Sequence, residues 1–126
     1  MTSDEPRDLA VQALYEMDQR GLDDLPAHID LASKARRFVA GVIDHVAELD
    51  AGITAAASNW RIDRMPVVDR AILRLGFYEL RYEPATPVAV IVSEAVRMAK
   101  AYSTERSGSF VNGVLATLAR AERAQR

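Results

Sequence analysis

P-V-V-D-R-A-I-L-R-L-G-F-Y-E-L-R-Y, from Pro66 to Tyr82, is the stretch on which the fold turns. Proline suits the opening of a helix, because its φ is already helical and its missing N–H would have no partner there. The residues after it are apolar on more than one face: Val68, Ile72, Leu75 and Tyr82 share one, and Leu73, Phe77 and Leu80 another. Such a helix has no wholly polar face to give to water, so the pattern predicts a central helix over 66–82. Gly76 lies inside it at a cost of about 1 kcal/mol against alanine, which marks a place where a second helix crosses closely.

Outward towards the N-terminus, Asn59 to Met65 is polar apart from Trp60 and Ile62. Before it, Phe38, Val42, Val46, Leu49 and Ile53, widened by Val39 and Ile43, form the broad stripe of a packed helix beginning near Ala35. This is one long helix or two sharing an axis, and Asp50 is a candidate cap for the second piece. Leu22 to Asp30 holds Pro26 and three acids without a period and reads as a loop, with periodicity resuming at Leu31. The first helix opens at Pro6, with Ser3 or Asp4 as cap, carries Leu9, Ala13, Leu14 and Met17 on one stripe, and closes at Gly21.

Towards the C-terminus, Pro84 ends the central helix, and Thr86 and Pro87 read as the cap and first residue of the next. Val88, Ile91, Val92, Ala95, Met98, Ala99 and Tyr102 keep a 3.6-residue period through that helix. Ser103 to Ser109 reads as a loop with a serine cap, and Phe110, Val111, Val114, Leu115 and Leu118 begin the last helix. Its polar end, Arg120 to Arg126, is expected to fray. No stretch alternates with period two, so the fold class is all-α, a compact bundle of six to seven helices in a single domain.

The 126 residues contain no cysteine, which excludes disulfides, thiolate catalysis and cysteine-ligated metals. No long apolar run and no basic-then-apolar leader pattern are present, which predicts a cytoplasmic protein without a membrane segment. The net charge of −2 predicts weak unaided attraction to nucleic acid, so RNA binding would need local patches or a partner. His45 and Glu48 are three apart on one helix, a metal-ligating spacing, but no second histidine motif matches it; His28 falls in the acidic loop. Serines lack a base in a recognisable arrangement, and Gly108 and Gly113 flank a helix start with no strand before it. The expectation is a binding module, not an enzyme, with no metal or cofactor.

Four segments narrow the binding class: A-V-Q-A-L-Y-E at Ala10 to Glu16, D-R-A-I-L-R-L-G-F-Y-E-L at Asp69 to Leu80, S-E-A-V-R-M-A-K at Ser93 to Lys100, and F-V-N-G-V-L at Phe110 to Leu115. Together, in this order and over nearly the whole chain, they resemble the NusB family. The resemblance implies two helical subdomains, about 1–60 and 61–126. It also implies association with the ribosomal protein NusE, binding of the pair to the boxA element of nascent RNA, and action in the RNA polymerase antitermination complex during ribosomal RNA synthesis. Monomer and homodimer both stay open. A related domain precedes ribosomal RNA cytosine methyltransferases, so a detached accessory domain is one alternative and a protein-only scaffold another. The end of the chain after the last helix and the wording F-V-N-G-V-L favour the stand-alone factors.

The resemblance places RNA contact at Arg7, Gln12, Tyr15, Arg106, Ser107, Phe110 and Asn112, and partner contact at Asp69, Arg70, Arg74 and Glu79. Tyr15 lies off the apolar stripe of its helix, and an exposed ring stacks on a base for about 1–3 kcal/mol. Phe110 serves the core equally well, since Val114 follows on its face. Asn112 suits either a base or a backbone cap, and Gly113 reads as close packing. Arg106, Ser107 and Ser109 border a helix start whose free amides could receive phosphate, and Arg106 stands where some relatives carry an acid. Glu94, Arg97 and Lys100 have the spacing of a solvated salt-bridge face. NusB-like chains usually bring an arginine-rich arm to the first motif, whereas this one brings Asp4, Glu5, Arg7 and Asp8.

Overall fold

The structure, a computed structural model, describes residues 5–27, 29–58 and 60–123. Ser3, Asp4, His28, Asn59 and Arg126, each given a part above, lie outside the described residues. Six helices and no strand are present among the described residues: α1 Pro6–Arg20, α2 Ser33–Asp44, α3 Val46–Ala56, α4 Val67–Tyr82, α5 Val88–Tyr102 and α6 Glu105–Arg123, with a 3-10 turn at Ile62–Arg64 before α4. None is long and apolar enough to cross a membrane.

α4 is the centre. It packs against each of the other five helices and buries Ala71, Ile72, Leu73, Leu75, Phe77 and Leu80, as its double apolar face requires. Gly76 is the predicted crossing point: a Cβ there would fall 2.9 Å from the Leu115 side chain of α6. α1 ends as expected at Gly21, whose φ of 64° is left-handed. The Gly21 amide donates to Asp18 O and the Leu22 amide to Met17 O, so two terminal carbonyls of α1 are satisfied.

Several boundaries differ from the sequence reading. The α2–α3 break comes at His45, with φ −124°, rather than at Asp50, which sits inside α3 and receives Arg74 at 2.7 and 2.9 Å. A tertiary ion pair, not a cap, explains that aspartate. α5 begins one residue late, with Pro87 as N-cap and no side-chain cap bond from Thr86. α6 begins at Glu105, five residues before Phe110. Thr104 Oγ1 accepts from the Ser107 amide at 3.0 Å and caps it. Gly108, which looks like a turn residue in sequence, is helical and buried; a Cβ there would meet the Lys100 stem of α5 at 2.8 Å. Gly113, read as close packing, has open space around it.

The end of α6 does not fray at Arg123. Its guanidinium donates to Leu80 O and Thr86 O, each at 3.0 Å, and to Glu83 O at 3.2 Å, closing the C-terminus of α4.

Candidate nucleic-acid interface

Where the 3-10 turn leads into α4, and α6 starts alongside, the chain forms a half-open cavity of about 600 Å³ lined by Trp60, Arg64, Met65, Asp69, Arg106 and Phe110. The chain leaves α3 through Ser58 in the left-handed region, φ 57°. Trp60 follows, 50% exposed, with its ring centroid 5.0 Å from that of Phe110 and the planes tilted by 58°. Phe110 is half-buried and packs on the core with its other side, so it serves core and cavity together.

Asp69 forms one wall from the first turn of α4, where a carboxylate also favours the helix dipole. It is buried rather than at a partner-facing surface. Its Oδ2 accepts from Ser107 Oγ at 2.8 Å, and Oδ1 is buried without a hydrogen-bond partner among the described residues. Ser107 therefore does not offer itself to phosphate: it is buried, its hydroxyl is held by Asp69, and Thr104 takes its amide. Arg106 and Asn112 are exposed, as are Ser109 and Gly113.

The other expected residues fall elsewhere. On α1, Tyr15 is exposed and Gln12 half-buried. Arg7 is spent within the fold, its guanidinium donating to both oxygens of Glu79 at 2.8 and 2.7 Å. This hydrogen-bonded pairing raises the Arg7 pKa further above its ordinary value. Glu79, expected near the helix surface, is buried, and leaving it unpaired there would be costly. Arg70 closes a bidentate pair on Asp18 at 2.6 and 2.9 Å, and Arg74 pairs with Asp50 and approaches Asp18 at 3.6 Å. All four residues expected to meet a partner thus have intramolecular duties.

Arg97, read as part of a solvated face, reaches the fully buried Asp8 with two donors at 2.6 and 3.2 Å and also holds Glu94. The bond to Asp8, and next that to Glu94, lifts its pKa well above the ordinary value. Tyr102 donates to the same Asp8, and that hydrogen bond pushes the phenol pKa up. Two of the four charges in the acidic arm, Arg7 and Asp8, are therefore structural. The His45–Glu48 spacing holds a 3.0 Å hydrogen bond, with Tyr82 and Arg81 on the other glutamate oxygen at 2.7 Å each.

Trp60 and Arg64, which line the cavity, are not among the site residues that the sequence indicates. The available signal was a tryptophan in a polar stretch that no helical stripe absorbs.

Fold and cavity define a small all-helical protein built round one buried helix, with a concave face where two helix N-termini meet. The model of the NusB family matches residues 4–120, and the chain belongs to that family. Transcription antitermination protein NusB of Streptomyces avermitilis is 43% identical, covering 89% of this chain and 87% of its own. Among solved structures, T. maritima NusB is 34% identical with a TM-score of 0.81, covering 95% of this chain and 93% of its own. A NusB in complex with NusE and double-stranded RNA is 30% identical with a TM-score of 0.79, covering 92% of this chain and 94% of its own.

Proposed function

We propose that this chain is a transcription antitermination factor that joins the ribosomal protein NusE, binds the boxA element of nascent ribosomal RNA, and helps RNA polymerase resist termination. The observation that carries this reading is its likeness, along 92% of the chain, to a NusB solved with NusE and RNA. It acts by binding, without a catalytic step, and works in the cytoplasm where transcripts emerge. The RNA face comprises Tyr15 with Gln12 on α1, and Arg106, Phe110 and Asn112 on α6. Of the residues expected to meet the partner, Arg70 and Arg74 keep part of their side chains exposed and stay in the proposal.

A transcription assay with a terminator downstream of a boxA leader tests this. The chain and the ribosomal protein together should raise read-through, and scrambling boxA should abolish the gain. Equal read-through on both templates would sink the reading, as would methyl transfer to ribosomal RNA by the purified chain for its non-catalytic part.

A further inference from the structure

We propose that the cavity between the N-termini of α4 and α6 is a pocket for one unpaired nucleobase bearing an exocyclic amino group. The base stacks on Trp60 and Phe110, Arg64 and Arg106 meet its flanking phosphates, and Asp69 Oδ1 accepts from the amino group. This deepens the RNA reading above and rests on it.

Three independent observations converge. The first is aromatic. Trp60 keeps half its surface in water although burying a ring of that size is strongly favourable. It stands beside Phe110 at 5.0 Å with tilted planes, so each ring leaves a face or an edge to the cavity. Aromatic faces in this setting stack bases of any identity.

The second is charge. In a protein of net charge −2, Arg7, Arg70, Arg74, Arg81 and Arg97 are all committed to carboxylates. Arg64 and Arg106, both exposed at the cavity lip, form no ion pair among the described residues. Two uncommitted guanidiniums lining the same cavity as an aromatic pair suit the phosphates that flank a stacked base.

The third observation sets specificity. Asp69 Oδ1 is a buried acceptor with no donor among the described residues, while Oδ2 is already taken by Ser107. An ionised carboxylate only accepts, and burial strengthens the bond it makes. Cytosine, adenine and guanine each offer an amino group. Uracil offers only an N–H flanked by two carbonyls, which a carboxylate repels. Asp69 lines the cavity together with both rings, and its Oδ1 is closed to bulk solvent, so the amino group reaches it through side-chain rotamer motions of the lining, which fall in the picosecond-to-nanosecond range.

Trp60 is the chain's single tryptophan, so its fluorescence reports this pocket alone. The full chain is titrated with tetracytidylate and tetrauridylate, two pyrimidine strands that differ at the pocket in amino group against carbonyl. Tetracytidylate should quench Trp60 at about tenfold lower concentration, the worth of one hydrogen bond to a charged group, and Asp69→Asn should bring the two together. Equal titrations in the wild type, or a preference that survives Asp69→Asn, would overturn the base-reading role. Should Asp69→Asn melt the fold, the wild-type comparison decides alone.

A second arm separates this pocket from the RNA reading beneath it. In the complex with the ribosomal protein, Trp60→Ala should weaken boxA binding by about tenfold, the scale of one lost base stack. Trp60→Phe should retain most of the affinity. A wild-type complex that binds boxA with Trp60→Ala equally tight removes the pocket and leaves the RNA reading standing. A wild-type complex that fails to bind boxA removes both.

Discussion

Glu79 and Asp8 are carboxylates that the fold buries and pays for with one arginine each, Arg7 and Arg97. Deleting one partner of such a pair leaves a charge stranded in low dielectric, typically at 3–5 kcal/mol. Arg7→Ala should therefore lower stability by about 3 kcal/mol in urea unfolding. Arg7→Lys should recover only part, since one ammonium cannot reproduce a two-point fork on both oxygens. Wild-type stability in Arg7→Ala with reduced RNA affinity would return Arg7 to the RNA face. The sequence showed these residues as charges on helices but not as pairs, because 72 positions separate Arg7 from Glu79 and 89 separate Asp8 from Arg97. Local spacing reports only partners one turn away, such as Glu94 for Arg97, and it made that arginine look solvated. Tyr15 was readable for the opposite reason: its exposure follows from its position on one helix, which periodicity does report.

At the scale of elements, Gly76 of α4 and Gly113 of α6 predict opposite outcomes. At Gly76 a methyl group would press on the buried Leu115 side chain. Overpacking costs about 1–3 kcal/mol and the helix propensity of alanine returns about 1, so Gly76→Ala should lose about 1 kcal/mol net. At Gly113, helical and unobstructed, alanine should add about 0.5–1 kcal/mol. Paired urea titrations check both, and same-sign shifts would contradict the crossing geometry. α3 is tied to α4 by Glu48, whose carboxyl is held at about 2, below its ordinary 4.5, first by the Tyr82 hydroxyl and next by Arg81. A folded-state value below the unfolded one contributes stability that is complete above about pH 4.5 and is lost as pH falls towards 2. Glu48→Gln should thus flatten the acid limb of Tm against pH in that window; an unchanged slope would show the tie to be idle. Helix identities were legible throughout because apolar period and proline position are local. The start of α6 was not, since Gly108 serves the close approach of α5 in space while resembling a turn in sequence.

The charge of the whole molecule decides how RNA can be held. A net charge of −2 and an arm whose one described cation, Arg7, is locked on Glu79 leave few groups for phosphate, with Arg64 and Arg106 exposed at the cavity and without an ion pair among the described residues. Affinity for single strands falls with salt by roughly 0.7 log units per neutralised phosphate for each tenfold change in salt. Two guanidiniums therefore predict a shallow slope of about −1.4 for the free chain and weak binding at physiological salt. Stacking on Tyr15 or Trp60, at about 1–3 kcal/mol per base, adds affinity without adding slope. A basic ribosomal protein would supply the missing phosphate contacts, so the complex should bind boxA RNA clearly tighter and with a steeper slope than the free chain. Within the complex, Tyr15→Ala should weaken binding by the worth of one stack and leave both slope and melting temperature unchanged, because the ring is exposed and carries no charge. Fluorescence anisotropy across a salt series reads affinity and slope together. Tight binding by the free chain with a steep slope would refute the argument and direct the search to the basic end of α6, where Arg120 is exposed.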